Sequence, residues 1–186
     1  MTWFADLDPC SYPPYQGFDR VLAVGWLDPE HPYSEGRLSP HELAQLAAAV
    51  KNSPWREIYK GDHRCQFCRG ATCNGDVWIP GVDVVFVSPV MILHYVEVHQ
   101  YAPPPEFISA LTACPAMKSP GYREALKRAG GAAFAQRMGL ADPVPCPYCG
   151  EPLISPRAKL CHRCLMDWHD PLHPRRLTKA RSADSP

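Results

Sequence analysis

Cys65-Gln66-Phe67-Cys68, followed 25 residues later by His94-Tyr95-Val96-Glu97-Val98-His99, decides how this chain is read. Two thiols two residues apart can close a tight knuckle on one metal, and two imidazoles late on a helix can complete a tetrahedron around it. Cys65, Cys68, His94 and His99 therefore read as one Zn²⁺ site. Between the halves, residues 76–80 and 83–87 are rich in β-branched and aromatic residues around Pro80-Gly81, which predicts a hairpin. Ser88-Pro89 then reads as the cap of a helix over residues 90–99. Knuckle, hairpin and helix follow the order of a DNA-reading zinc finger, but about 12 residues separate the ligand pairs there. The longer insertion speaks against simple major-groove reading.

At about 100° per residue His94 and His99 lie about 140° apart on a helix, so the helix must end or loosen near His99. Gln100-Tyr101-Ala102-Pro103-Pro104-Pro105 supplies the stop. His63, Cys73 and Glu97 are close enough in sequence to compete as ligands.

A second metal unit follows at residues 143–171. Cys146-Pro147-Tyr148-Cys149 and Cys161-His162-Arg163-Cys164 lie 11 residues apart, two knuckles that can bring four thiolates to a second Zn²⁺ as in a zinc ribbon. Iron held as in rubredoxin is the rival. So short a segment has little core, and bound metal would supply most of its folding free energy, about 10 kcal/mol or more.

The fold class is α+β, a small zinc-stabilised domain with short helices followed by a zinc ribbon. The expected organisation is a zinc-finger-like domain over residues 1–113, a helical spacer over 114–142, the ribbon over 143–171 and a basic flexible tail over 172–186. A hydrophobic content of 46% in 186 residues is enough for one ordinary core, and 22 prolines favour short helices with rigid turns. Residues 1–19 read as an irregular arm pinned by Trp3, Phe4, Tyr12, Tyr15 and Phe18. A strand is predicted over 21–27 and another over 55–59. Ser39-Pro40-His41-Glu42 forms a capping box for a helix that buries Leu43, Leu46, Ala47 and Val50. Ser119-Pro120 caps a later helix that closes at Gly130-Gly131.

Catalytic motifs are incomplete. His41-Glu42-Leu43-Ala44-Gln45 begins like the HExxH of zinc proteases, but Gln45 stands where the second ligand belongs. Pro145-Cys146-Pro147-Tyr148-Cys149 matches half of a nucleobase deaminase site, yet no H-x-E or C-x-E precedes it. There is no P-loop, GxGxxG or G-x-S-x-G. A zinc-dependent enzyme is thus the weakest of three function classes. Nine cysteines without a secretory signal pattern at the start point to cytoplasmic thiols, and no apolar run is long enough to span a bilayer.

The zero net charge is unevenly spread. Residues 1–113 carry 7 Lys/Arg against 13 Asp/Glu, and residues 114–186 carry 12 against 6. Two partner classes follow. In the first, a non-enzymatic protein with structural zinc docks onto another protein. In the second, Arg157, Lys159, Arg163, Arg175, Arg176, Lys179 and Arg181 meet nucleic-acid phosphates while Tyr148 or Trp168 stacks on bases. The net charge of +3 over residues 143–186 is weak for sequence-independent binding, which favours the protein partner.

Beyond these readings, the chain shows a resemblance. Met1-Thr2-Trp3-Phe4-Ala5-Asp6-Leu7-Asp8-Pro9, Val24-Gly25-Trp26-Leu27, the Cys65/Cys68 pair and His94-Tyr95-Val96-x-x-His99-x-Tyr101-x-Pro103-Pro104-x-x-Phe107 resemble an uncharacterised family of small bacterial proteins of unknown function. It covers about residues 1–113. The resemblance implies one structural unit over that span and a bacterial cytosolic origin, and it implies no activity.

Overall fold

The structure, a computed structural model, describes residues 3–54, 61–140, 142, 144–153 and 157–177. In chain order the elements are β1 (Val21–Ala23), α1 (Pro40–Asn52), β2 (His63–Arg64), β3 (Thr72–Cys73), β4 (Asp76–Pro80), β5 (Val85–Pro89), α2 (Ile92–His99), α3 (Pro105–Ala113), α4 (Pro120–Arg137), β6 (Met166–Asp167) and β7 (Arg175–Arg176). They fall into two compact units, residues 1–140 and 141–186. The strand predicted over 55–59 lies outside the described residues.

The first unit is built on the hairpin. β4 pairs antiparallel with β5, Trp78 opposite Val87 and Ile79 opposite Phe86, and β1 adds to the other edge of β5 in parallel. Because successive strand residues point to opposite faces, this short sheet feeds two cores. Val77, Ile79 and Phe86 pack with Leu46 of α1, Ile92 and Tyr95 of α2 and Phe107 of α3. Trp78, Val85, Val87, Val21 and Ala23 pack on the opposite face with Tyr15, Tyr122, Leu126 and Phe134. Every residue of β4 and β5 is consequently buried.

The second face corrects the expected boundary. α4 is part of the first unit: the Tyr122 hydroxyl donates to the Trp78 carbonyl at 2.7 Å and the Phe134 ring lies 5.6 Å from that of Trp78. Residues 114–140 are therefore a packed layer of the first unit, and the domain runs to Leu140 rather than 113. The helix breaks where the glycine pair foretold, with Gly131 at φ 77. A Cβ at Gly130 would sit 2.2 Å from the Phe134 ring, so only glycine lets that ring return onto the helix.

The arm of residues 3–19 is irregular, as expected, and covers the free edge of β1. Leu7 N–H donates to Ala23 and Cys10 N–H to Val21, each at 2.8 Å, while Ala23 N–H donates back to Asp8. Tyr15 is fully buried, and Phe4 and Tyr12 pack on Trp26. α1 begins with the foreseen capping box of Ser39 and Glu42, and His41 is exposed at its start. Ser88-Pro89, by contrast, does not cap α2. Both residues are strand, Ser88 is buried opposite Val77, and α2 starts after Met91 with no side-chain cap.

The second unit has three buried apolar residues among those described, Cys146, Leu153 and Cys161, with Ala158, Cys164 and Trp168 packed against them. β6 and β7 pair antiparallel, Met166 opposite Arg176. Arg175 and Arg176, expected in a flexible tail, thus belong to the ribbon's own sheet. No helix among the described residues is long and apolar enough to cross a membrane.

Candidate metal centres

All three CxxC turns share one backbone pattern. The carbonyls of Cys65, Cys146 and Cys161 accept from the N–H four residues on, at 3.0, 2.9 and 2.8 Å, and their own N–H groups donate to Ala71, Glu151 and Met166. The residue after the second cysteine closes each turn in the left-handed region: Arg69 at φ 56, Gly150 at φ 74 and Leu165 at φ 60. This folds both thiols of a pair to one side. Backbone N–H groups then reach sulfur, from Gly70 to Cys68 Sγ at 3.3 Å and from Tyr148 to Cys146 Sγ at 3.4 Å. Such donors stabilise thiolates.

In the first centre, Cys65, Cys68, His94 and His99 offer ligand atoms that all lie within 4.8 Å of one another. Cys65 Sγ is 3.4 Å from His99 Nε2, Cys68 Sγ is 3.3 Å from His94 Nε2, and the two Nε2 atoms are 3.2 Å apart. A tetrahedral ion with Zn–S of about 2.3 Å and Zn–N of about 2.0–2.1 Å would set these edges at about 3.6 Å for S···N and about 3.3 Å for N···N. The cluster fits a four-coordinate ion with little adjustment. α2 ends at His99, and Gln100 turns left-handed at φ 54, which is the expected loosening. The His99 carbonyl accepts from the Tyr33 hydroxyl, and Phe67, inside the knuckle, packs on Tyr33, Tyr95 and the His99 ring. Burial first, and His94 second, hold His99 below its ordinary value. That direction favours the neutral imidazole that a metal ligand would need to be.

The competing ligands stand apart from this cluster. Glu97 is exposed on the helix, and His63 and Cys73 face each other across the β2–β3 ladder.

The second centre gathers Cys146, Cys149, Cys161 and Cys164. Cys146 and Cys164 sulfurs are 3.8 Å apart and those of Cys149 and Cys161 are 3.7 Å apart, against about 3.8 Å for the edge of a ZnS₄ tetrahedron. The Cys164 N–H foremost, and the Arg163 N–H after it, bring the Cys161 thiol down to about 7 against the effect of burial. Cys149 receives the Glu151 N–H, but burial and the three neighbouring thiols outweigh it and push the thiol up to about 12. Four thiolates side by side repel, and a divalent cation would relieve that repulsion. Cys114 lies outside both clusters, its thiol pushed up to about 11 by burial.

A family model matches residues 2–112, more than half of the chain. The chain belongs to the family described as a domain of unknown function, DUF7919. No curated protein and no solved structure matches it. The first centre lies wholly within the DUF7919 match, and the second lies beyond it, as does α4, which completes the compact unit.

Proposed function

We propose that this chain is a zinc-stabilised, non-enzymatic interaction protein of the bacterial cytoplasm, in which both ions are structural and the ribbon docks onto another protein. The observation that supports it is closure. Each cluster supplies four protein ligand atoms at tetrahedral spacing, and a catalytic zinc keeps one position for water or substrate. Zinc is favoured over redox-active iron at the first centre because two thiolates and two imidazoles form a common structural zinc set. Free thiols of this kind persist in a reducing compartment.

For the ribbon, a protein partner is supported by its exposed apolar groups, Tyr148, Val144 and Leu172, and by internal pairing of its charge, with Arg175 3.9 Å from Asp167. A second reading has one observation in its favour. The Tyr148 and Trp168 rings lie 5.6 Å apart, an aromatic pair of the kind on which single-stranded bases stack. Lys179 and Arg181, also assigned to that reading, lie outside the described residues.

Elemental analysis of protein purified without chelator tests the metal proposal: two zinc ions per chain are expected, and one in a Cys146→Ser/Cys149→Ser variant. A folded, metal-free protein would overturn it. Titration of a labelled single-stranded oligonucleotide separates the partner classes. Tight binding that weakens steeply with salt and is lost in Trp168→Ala favours nucleic acid, and its absence leaves the protein partner.

A further inference from the structure

The two centres hold different numbers of thiols. Cys65 and Cys68 share the first with His94 and His99, whereas the ribbon gathers Cys146, Cys149, Cys161 and Cys164. Two thiolates neutralise a divalent ion, and four leave two negative charges spread over the sulfurs. The ribbon's sulfurs are therefore the more electron-rich set. Their surroundings differ in the same direction. In the first centre the short contacts between sulfur and another ligand run to imidazole nitrogens, at 3.4 and 3.3 Å. In the ribbon they run from sulfur to sulfur, at 3.8 and 3.7 Å.

Access within the ribbon is uneven. Cys146 and Cys161 are buried and Cys164 is half-buried, but Cys149 is exposed, as are its neighbours from Pro147 to Pro152. The Cys161 sulfur stands 3.7 Å from that of Cys149, on the other knuckle. An accessible thiolate beside a second one is the arrangement that reacts with peroxides and ends as a disulfide. Cys68 is exposed as well. It has a single thiol in its cluster, the fully buried Cys65, to capture an oxidised form, whereas Cys149 has three.

We propose that Cys149 is an oxidation site for hydrogen peroxide, and that its reaction frees the ribbon's ion ahead of the first centre's. The inference rests on the zinc reading given above. The Cys149 thiolate attacks one peroxide oxygen, so that an S–O bond forms, the O–O bond breaks and hydroxide leaves. The Cys161 thiolate then attacks the sulfenic sulfur of Cys149, forming the S–S bond and expelling a second hydroxide. Two protons from solvent convert both hydroxides to water, and two thiolates have together given two electrons to one peroxide. Cys146 and Cys164 remain, too few to hold the ion. Leu153 is the one other buried apolar residue among those described, so the ribbon loses its fold and its docking surface with the ion. A thiol reductant restores both by exchange.

Hydrogen peroxide added to the zinc-loaded full chain, with a weak colorimetric zinc indicator and dimedone to trap sulfenic acid, is the test. The Cys146→Ser/Cys149→Ser variant, which keeps the first ion alone, supplies the rate of the first centre. One zinc per chain should leave the parent about tenfold or more faster than that rate. Peptide maps should show dimedone at Cys149 and, without dimedone, a Cys149–Cys161 disulfide. Cys149→His keeps four ligands and should slow the release by about tenfold. If that variant does not load, the peptide maps of the parent decide alone. No release at millimolar peroxide, release of both ions at one rate, dimedone first at another cysteine, or a first disulfide without Cys149 would overturn the proposal. A parent that loads fewer than two zinc ions fails before any peroxide is added. That result overturns the zinc reading itself, and this inference with it, and so is told apart from a failure of the peroxide step.

Discussion

His94 and His99 sit five positions apart on one helix, yet their Nε2 atoms are 3.2 Å apart. The helix achieves this by ending: His99 is its last residue, and Gln100 leaves in the left-handed region. Glu97, nearer to His94 in sequence, is exposed and outside the cluster. His99→Ala should therefore remove the first zinc and lower the melting temperature together, while Glu97→Ala keeps both ions. Metal content and calorimetry on the two variants check this, and stripping of the metal by Glu97→Ala would point to an open, water-bearing site.

The left-handed residues of the knuckles yield a stabilising prediction. Arg69 and Leu165 hold a backbone conformation that costs non-glycine residues about 1–2 kcal/mol, and Gly150 occupies the equivalent place at no such cost. Arg69→Gly and Leu165→Gly should each stabilise by up to about 1 kcal/mol, part of the gain being lost to the freer unfolded chain. Gly150→Ala should destabilise by a similar amount. Denaturant midpoints with metal in excess measure all three, and a loss of stability in both glycine variants would refute the shared-knuckle account.

These contrasts show what the sequence made legible. Ligand spacing, the Ser39/Glu42 box and the Pro80-Gly81 turn are local chemistry, and local chemistry can be read directly. The role of α4 could not be read that way, because only two large apolar residues, Leu126 and Phe134, mark its buried side along with Tyr122. Its place depends on Trp78, 44 residues upstream of Tyr122. Ser88-Pro89 misled for a related reason. A cap signature and a strand end use the same residue types, and pairing with Val77 decided between them.

Truncation tests the corrected boundary. A chain ending at Leu140 should fold and keep one zinc, whereas one ending at residue 113 exposes Trp78, Val85 and Val87 by removing Tyr122, Leu126 and Phe134. Burial of each large side chain is worth about 1.5–3 kcal/mol, so the shorter chain should be unfolded or aggregated. Circular dichroism and metal content distinguish the two. A well-folded 1–113 fragment would restore the spacer.

Asp6 gives a pH signature. Its carboxylate accepts from Gly25 N–H and the Tyr101 hydroxyl, each at 2.8 Å, but burial outweighs these bonds and holds its pKa above the ordinary 3.8. The native state therefore binds the proton more tightly than the unfolded chain. Stability from this group is full below pH 3.8 and is lost as pH rises through the raised native value. Relative to Asp6→Asn, the parent should lose stability over that window. Comparing the two proteins cancels the opposite trend of the metal ligands, which need higher pH to deprotonate. A parent that gains on the variant with rising pH would mean that the two hydrogen bonds dominate.

Chelation should act on the two units unequally. The ribbon has only Cys146, Leu153 and Cys161 buried among its described residues, and two of those three belong to the four-cysteine cluster that would hold the proposed ion, so losing that ion would leave almost no core. The first unit keeps two extensive apolar clusters on either side of β4 and β5. Added chelator should then abolish hydrogen-exchange protection at the N–H groups of Cys146, Cys161 and Leu165, which are bonded only within the knuckles, while amides of the β4–β5 ladder remain protected. In the first unit, loss should be confined to Cys65, Arg69 and the end of α2. Protection lost together across ladder and knuckles would mean that the first ion holds the whole unit, and that its folding is coupled to metal as tightly as the ribbon's.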